Sequence, residues 1–172
     1  MIDSVFLNGT VGAGKSSVAE ALSALEAKRD HNHAVIDLDH IRRAWPAPEG
    51  DRFNHELEIA NLRALVVNYR RAGIKHFILA GVVEEVGEVA RYEAALQSRG
   101  LLICRLEADP ETLAKRLRLR HGSNLAELDW HLGRAGELAA ILRAASIDHL
   151  TLDNSAGSSM ATATIVQEKA GW

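Results

Sequence analysis

Short apolar runs alternate along this chain with longer stretches of helical period. Val5-Phe6-Leu7 predicts a first strand, and the segment from about Gly14 to Lys28 a helix. Ala34-Val35-Ile36 predicts a second strand, and Glu56 to Arg71 a long helix stopped at Gly73. His76 to Ala80 reads as a third strand, Val89 to Arg99 as a helix ending at Gly100, and Leu101 to Leu106 as a fourth strand. Asp109-Pro110-Glu111 sets a capping carboxylate, a proline suited to the first helical position and an acid in sequence, which together start a helix. Leu128, Leu132, Ala135, Ala139 and Leu142 recur at helical spacing. His149 to Leu152 predicts a short last strand and Ala161 to Lys169 a last helix.

Strand and helix alternating five times imply an α/β domain with a five-stranded parallel sheet covered on both faces. Ligands of such sheets bind beyond the carboxyl ends of the strands, so residues just after each strand are the ones to inspect. No repeat, low-complexity tract or linker interrupts the pattern. Trp45-Pro46-Ala47-Pro48 runs on into Glu49-Gly50-Asp51 and reads as a loop inside one domain spanning residues 1–172.

Composition narrows the classes. Hydrophobic residues make up 47% and charged residues 25% of the 172, which excludes disordered and collagen-like chains. The net charge of −3 provides no global grip on nucleic acid or an anionic membrane. One cysteine, Cys104, cannot form an internal disulfide, and no apolar run approaches the ~18 residues of a membrane span. The reading is a cytoplasmic protein with no nucleic-acid or membrane partner.

After the first strand stands Gly9-Thr10-Val11-Gly12-Ala13-Gly14-Lys15-Ser16, a full G-x-x-x-x-G-K-[ST] between a strand and a helix. Its glycines let backbone N–H groups curl around phosphate oxygens, and the following helix adds the positive end of its dipole. Gly9, Thr10, Gly12, Ala13, Gly14, Lys15, Ser16 and Ser17 are therefore the expected nucleotide cradle, with Lys15 on the β/γ-phosphates and the Ser16 hydroxyl on Mg²⁺. Binding of a nucleoside triphosphate follows from the motif; the fate of the γ-phosphate does not.

The second strand ends Ile36-Asp37-Leu38-Asp39-His40-Ile41-Arg42. Two residues apart on an extended segment, Asp37 and Asp39 would point to one side, facing the phosphate loop. One carboxylate can hold Mg²⁺ and the other can take a proton from a substrate hydroxyl. Arg42 can bind an anionic substrate group or the transferred phosphoryl. The competing reading is structural: Asp39 caps a helix starting at His40.

Phosphate loop, Asp-x-Asp-x-Ile-Arg and a helix-rich remainder resemble the small P-loop kinases of metabolites. The Asp-Gly-Asp-Asn-(Ile/Val)-Arg segment of adenylylsulfate kinases is matched here by Asp37 to Arg42. Shikimate kinase, gluconate kinase and chloramphenicol phosphotransferase share the plan. Two features depart from the adenylylsulfate kinase pattern: Glu58-Ile59-Ala60-Asn61-Leu62-Arg63 lacks an adjacent arginine pair, and Ala80-Gly81-Val82-Val83 lacks the Ser-Phe-Ile-Ser-Pro pattern. The resemblance implies a three-layer α/β/α sandwich with strand order 2-3-1-4-5 and a helical lid at about residues 116–134. It also implies transfer of the γ-phosphate of Mg²⁺-ATP to a hydroxyl of a small molecule. Lys15, Asp39 and Arg120 would then be catalytic, Ser16 and Asp37 would hold the metal, and Asp39, Arg42 and Arg134 would contact the acceptor.

The basic run Lys115-Arg116-Leu117-Arg118-Leu119-Arg120 follows Leu113. Leu113 and Leu117 fall on one helix face, Arg116 and Arg120 on another, so the run reads as an amphipathic helix and not a nucleic-acid patch. His121-Gly122-Ser123-Asn124 then breaks it. By resemblance Arg120 closes over the phosphates, Arg116 contacts the nucleotide, and Arg134 is a second lid or substrate arginine; a solvated helix face is the bland alternative for each. Asn154, after the last strand, is placed by the fold class beside the adenine. Eight histidines form no ordered metal motif, and His40 and His55 read as surface residues. Cys104 reads as a buried small hydrophobe, and Trp45 as either a pocket wall or loop packing. No acid directly follows the third strand and no Asn-Lys-x-Asp segment reads guanine. This leaves a nucleotide-binding regulatory or interaction protein as the alternative to a kinase.

Overall fold

A computed structural model describes residues 1–51, 53–122 and 124–172. Arg52 and Ser123 fall outside the described residues, the first in the proline-containing loop and the second in the expected break after His121.

The chain runs β1 (Ser4–Gly9), α1 (Lys15–Lys28), β2 (His33–Asp37), α2 (Leu38–Ile41), α3 (His55–Arg71), β3 (His76–Ala80), α4 (Val86–Leu96), β4 (Leu101–Glu107), α5 (Pro110–His121), α6 (Leu125–Ala145), β5 (Leu150–Asp153) and α7 (Ser159–Ala170). The strands form one sheet of order β2-β3-β1-β4-β5. Every neighbouring pair is parallel, with Val5 against Ile78 and Leu102, and Ile36 against Leu79. This is the expected order.

Alternation along each strand divides the apolar residues between two faces. Val5, Leu7, Ile78, Leu102 and Cys104 pack with Val18 and Leu22 of α1 and Ala163 and Val166 of α7. Phe6, Ile36, Phe77, Leu79 and Ile103 pack with Ile59, Leu62 and Val66 of α3 and Tyr92 and Leu96 of α4. The strands read as unbroken apolar runs because both faces are covered. Leu7, Leu22, Leu62 and Leu79 are fully enclosed, and each such side chain contributes roughly 1.5–3 kcal/mol. Among the described residues no helix is long and apolar enough to cross a membrane.

Two local expectations need correction. The helix expected from Val89 to Arg99 runs from Val86 to Leu96. Gln97 takes the left-handed conformation that ends it, three residues before Gly100. Gly100 serves a close approach instead: a Cβ there would sit 2.9 Å from the Met1 carbonyl oxygen. The second correction lies at the end of β2. The chain does not stay extended through Asp39; it turns into α2 at Leu38, with Asp37 and not Asp39 as the capping residue.

Candidate active site

At the carboxyl ends of β1, β2 and β3 the strands open into a cleft. Its volume of about 1220 Å³ exceeds the roughly 300–1,000 Å³ of a pocket for one small ligand. Phosphate-loop residues, the β2–α2 acids, the loop before α3, and residues of α5 and α6 line it.

The phosphate loop is held from behind. Gly9 (φ +145°) and Gly14 (φ +96°) adopt conformations L side chains rarely take. A Cβ on Gly9 would lie 2.5 Å from the Leu106 carbonyl oxygen, and one on Gly14 2.4 Å from Asn154 Nδ2. Asn8, fully buried, accepts from Gly9 N at 2.9 Å and Val83 N at 3.2 Å, and donates to Val83 O and Asp148 Oδ1. Lys15 Nζ donates to the Gly9 and Thr10 carbonyls at 2.8 and 3.0 Å, so the ammonium is stationed within the loop. Burial brings its pKa down to about 8, against the opposing pull of Asp39 and Asp37.

Ser16 stands in the first turn of α1, and its hydroxyl donates to Asp37 Oδ2 at 2.9 Å. Asp37 Oδ1 accepts from Asp39 N at 3.1 Å and so caps α2. A hydroxyl and a carboxylate oxygen brought together by two elements are hard oxygen donors of the kind Mg²⁺ takes. Asp39 lies on the first turn of α2, and Arg42 Nε donates to its Oδ1 at 3.1 Å. Burial raises the Asp39 carboxyl, but Arg42, with Lys15 and Arg120, outweighs it and holds the group below the usual carboxylate range.

Arg42 is less free than the sequence suggests. Its Nη1 lies 3.1 Å from Glu58 Oε2, so the guanidinium is shared between Asp39 and a carboxylate enclosed under α3. Tyr92 donates to Glu58 Oε1 at 2.6 Å. Burial still pushes the Glu58 pKa up, with Tyr92 and Arg42 offsetting only part of it. Glu58 and Tyr92 were missed because their partners come from separate elements.

The three arginines expected of a lid divide. Arg120 lines the cleft and, among the described residues, forms no ion pair within 4.0 Å. Arg116 lines it too, but its guanidinium is bound to Gly12 O at 3.2 Å and Asn154 O at 2.7 Å, which braces the loop. Arg134 pairs with Glu84 at 2.9 Å and Glu137 at 3.6 Å. Glu84 was also missed: an acid stands four residues beyond β3, not directly after it. Asn154, expected beside the adenine, lines the cleft next to the phosphate loop. It is buried, donates to Ala13 O at 2.8 Å and accepts from Thr162 at 2.9 Å, so it props the loop.

His40 and His55 both line the cleft, the latter hydrogen-bonded to Glu88. Trp45 is 93% exposed and stands at the cleft edge, not against the core. Cys104 is enclosed, and burial pushes its thiol pKa up to about 12, as suits an inert core residue.

No curated protein matches the sequence. The shikimate kinase of Acinetobacter baumannii, solved with shikimate, superposes with a TM-score of 0.65 at 21% identity, covering 99% of this chain and 94% of that one. The tunicamycin resistance protein of Deinococcus radiodurans gives 0.64 at 20%, covering 99% and 96%. The APS kinase of Mycobacterium tuberculosis, solved with AMPPNP and APS, gives 0.60 at 19%, covering 99% and 98%. These likenesses establish the P-loop kinase fold. Residues 5–128 match the family described as AAA domain, a span that carries the phosphate loop, the second-strand acids and all of α5, so the chain belongs to the AAA domain family.

Proposed function

We propose that this chain is a kinase that moves the γ-phosphoryl group of Mg²⁺-ATP to a hydroxyl of a small molecule. The observation that carries the reading is the sequence of groups along one cleft: Lys15 in the loop, Ser16 on Asp37, Asp39 two residues on, and Arg120 on the lid side. Loop N–H groups and Lys15 would hold the β/γ-phosphates. Ser16 and Asp37 would hold Mg²⁺, which when bound neutralises charge on the phosphates. Asp39, ionised through Arg42, is placed to orient an acceptor hydroxyl and take its proton. Arg120, unpaired among the described residues, would supply a cation for charge developing during transfer. Room beyond Asp39, edged by His40, Trp45 and Trp130, is where the acceptor would sit.

The solved relatives' names include a shikimate kinase and an APS kinase, which supports a small-molecule acceptor. A cytoplasmic setting, where ATP is supplied, accords with the reading. The competing reading, a nucleotide-dependent regulatory protein, rests on the absence of an acid directly after β3.

A coupled ADP-release assay over a panel of small hydroxylated metabolites and antibiotics separates the two. A kinase releases ADP faster with one acceptor, and Lys15→Ala abolishes the increment. Asp39→Asn is expected to lose about 10²–10⁴-fold in turnover while keeping its ATP affinity. Nucleotide binding without any acceptor effect, or full turnover in Asp39→Asn, would count against the assignment.

A further inference from the structure

At the opposite end of the sheet from the cleft lies a second cluster of chemistry-bearing side chains. β2 and β3 begin there, with His33 opposite His76, and about 13 Å of strand separates that end from Asp37. Glu26, near the end of α1, is fully enclosed. Its Oε2 lies 3.1 Å from His31 Nδ1 and 2.7 Å from His76 Nδ1, and its Oε1 accepts from Gln167 Nε2 at 2.7 Å. Among the described residues no lysine or arginine comes within 4.0 Å of this carboxylate. Burial works against this carboxylate, but the Gln167 amide, His76 and His31 outweigh it and hold its carboxyl below the usual range.

We propose that Glu26, His31 and His76 form a binding site for a transition-metal dication of the Zn²⁺ class, distinct from the Mg²⁺ position of the cleft. One donor atom of each residue lies within 4.8 Å of the other two. The ring planes of His31 and His76 meet at 82°, and both Nδ1 atoms face the same carboxylate oxygen, so the two imidazoles address one region. His121 and His131, beside Glu127 in the lid, fail this test: their rings stack at 22°, and near-parallel planes do not share an in-plane ion. Two imidazoles and one carboxylate suit zinc, with its bonds of about 2.0–2.2 Å, and do not suit Mg²⁺, which takes oxygen.

The surroundings are those of a held ligand set. Gln167 fixes the carboxylate from α7. Trp172 stacks on the His76 ring at 4.3 Å and 8°. His33 Nδ1 meets the His31 carbonyl at 2.8 Å. The side chains of His31 and His76 remain 38% and 21% exposed, which leaves an approach for the ion and a fourth position for water. The two carboxylate–imidazole separations, 3.1 and 2.7 Å, are shorter than the roughly 3.3 Å edge of a tetrahedron with zinc bond lengths. Binding therefore needs a small opening of the cluster and loss of the bridging protons. The bound ion would clip α1, the α1–β2 loop and β3 together.

The test uses the full chain, stripped with chelator and then held in excess Mg²⁺ so that the cleft is supplied. Zn²⁺ is titrated by calorimetry and Co²⁺ by visible absorption. One equivalent of Zn²⁺ is expected to saturate, with a Co²⁺ spectrum of tetrahedral intensity. His31→Asn and His76→Asn should each weaken Zn²⁺ by at least about tenfold and Gln167→Leu by about 10–100-fold. At a hundredfold excess over Kd the melting temperature should rise by roughly 5–10 °C. ATP affinity in His31→Asn, a part-exposed change remote from the cleft, should match the parent and certify its fold. No saturable zinc binding, or equal affinity in parent and both histidine variants, overturns the proposal. Loss in His76→Asn alone removes His31 and overturns the three-ligand site.

Discussion

Ser16 donates its hydroxyl to Asp37 across 2.9 Å, joining the first turn of α1 to the last residue of β2. The same carboxylate caps α2 through its other oxygen. One side chain thereby sets both the proposed metal position and the place of Asp39.

That dual role makes Asp37→Asn informative. Asparagine caps a helix about as well as aspartate, so α2 and the fold should survive. What is lost is the negative charge beside Ser16. The Mg²⁺ concentration giving half-maximal ADP release should rise at least about tenfold, while nucleotide affinity measured in chelator stays within twofold of the parent. An unchanged Mg²⁺ requirement would remove Asp37 from the metal site.

Lys15 leads to a pH dependence. Burial sets its pKa at about 8 in the free protein, so the ammonium is largely charged below that value and neutral above it. Phosphate prefers the charged form and raises the pKa in the complex. By linkage, affinity for ATP should be flat below pH 8. It should then fall by up to about tenfold per pH unit until the pKa of the complex is passed. Calorimetry between neutral and alkaline pH reads this directly. Affinity independent of pH throughout would show that Lys15 stays charged.

That the phosphate loop, Ser16, Asp37 and Arg120 meet at one cleft was legible because the signal lies in local spacing: a motif in eight residues, an acid at a strand end, an arginine four after another on a helix. The strands were legible because both sheet faces are covered. What escaped was long-range. Glu58 meets Tyr92, 34 residues on; Arg134 meets Glu84, 50 residues back; Asn154 meets Ala13, 141 residues back. No spacing rule pairs such residues. The α2 turn escaped because an Asp-x-Asp segment suits an extended end and a capped helix equally, and the Ser16 partner decides between them.

Asn154 separates propping the loop from reading the base. Its amide joins Ala13 O to Thr162 inside the protein. Asn154→Leu leaves both without a partner, at about 1–3 kcal/mol for each stranded buried group. ATP affinity should fall by about tenfold or more, and the ratio of ATP to GTP affinity should not change. A shift in base preference would instead return Asn154 to the adenine side.

Arg42 and Glu58 yield a stability prediction with a definite sign. The Glu58 side chain is 1% exposed and the Arg42 side chain 21%. Removing one partner of a buried pair costs about 3–5 kcal/mol. Glu58 can take up a proton and keeps its bond from Tyr92, so Arg42→Met should fall at or below the lower end of that range. Burial already raises the Glu58 pKa, and loss of Arg42 raises it further. Between the unfolded and folded values the native state keeps a proton that the unfolded state has released. The variant should therefore be most stable below the ordinary carboxylate range and lose stability as pH rises through the folded value. Urea unfolding across that range measures it, and adding Glu58→Gln to Arg42→Met should flatten the excess slope. If Arg42→Met tracks the parent at every pH, Arg42 does not compensate Glu58, and its guanidinium is free for the acceptor after all.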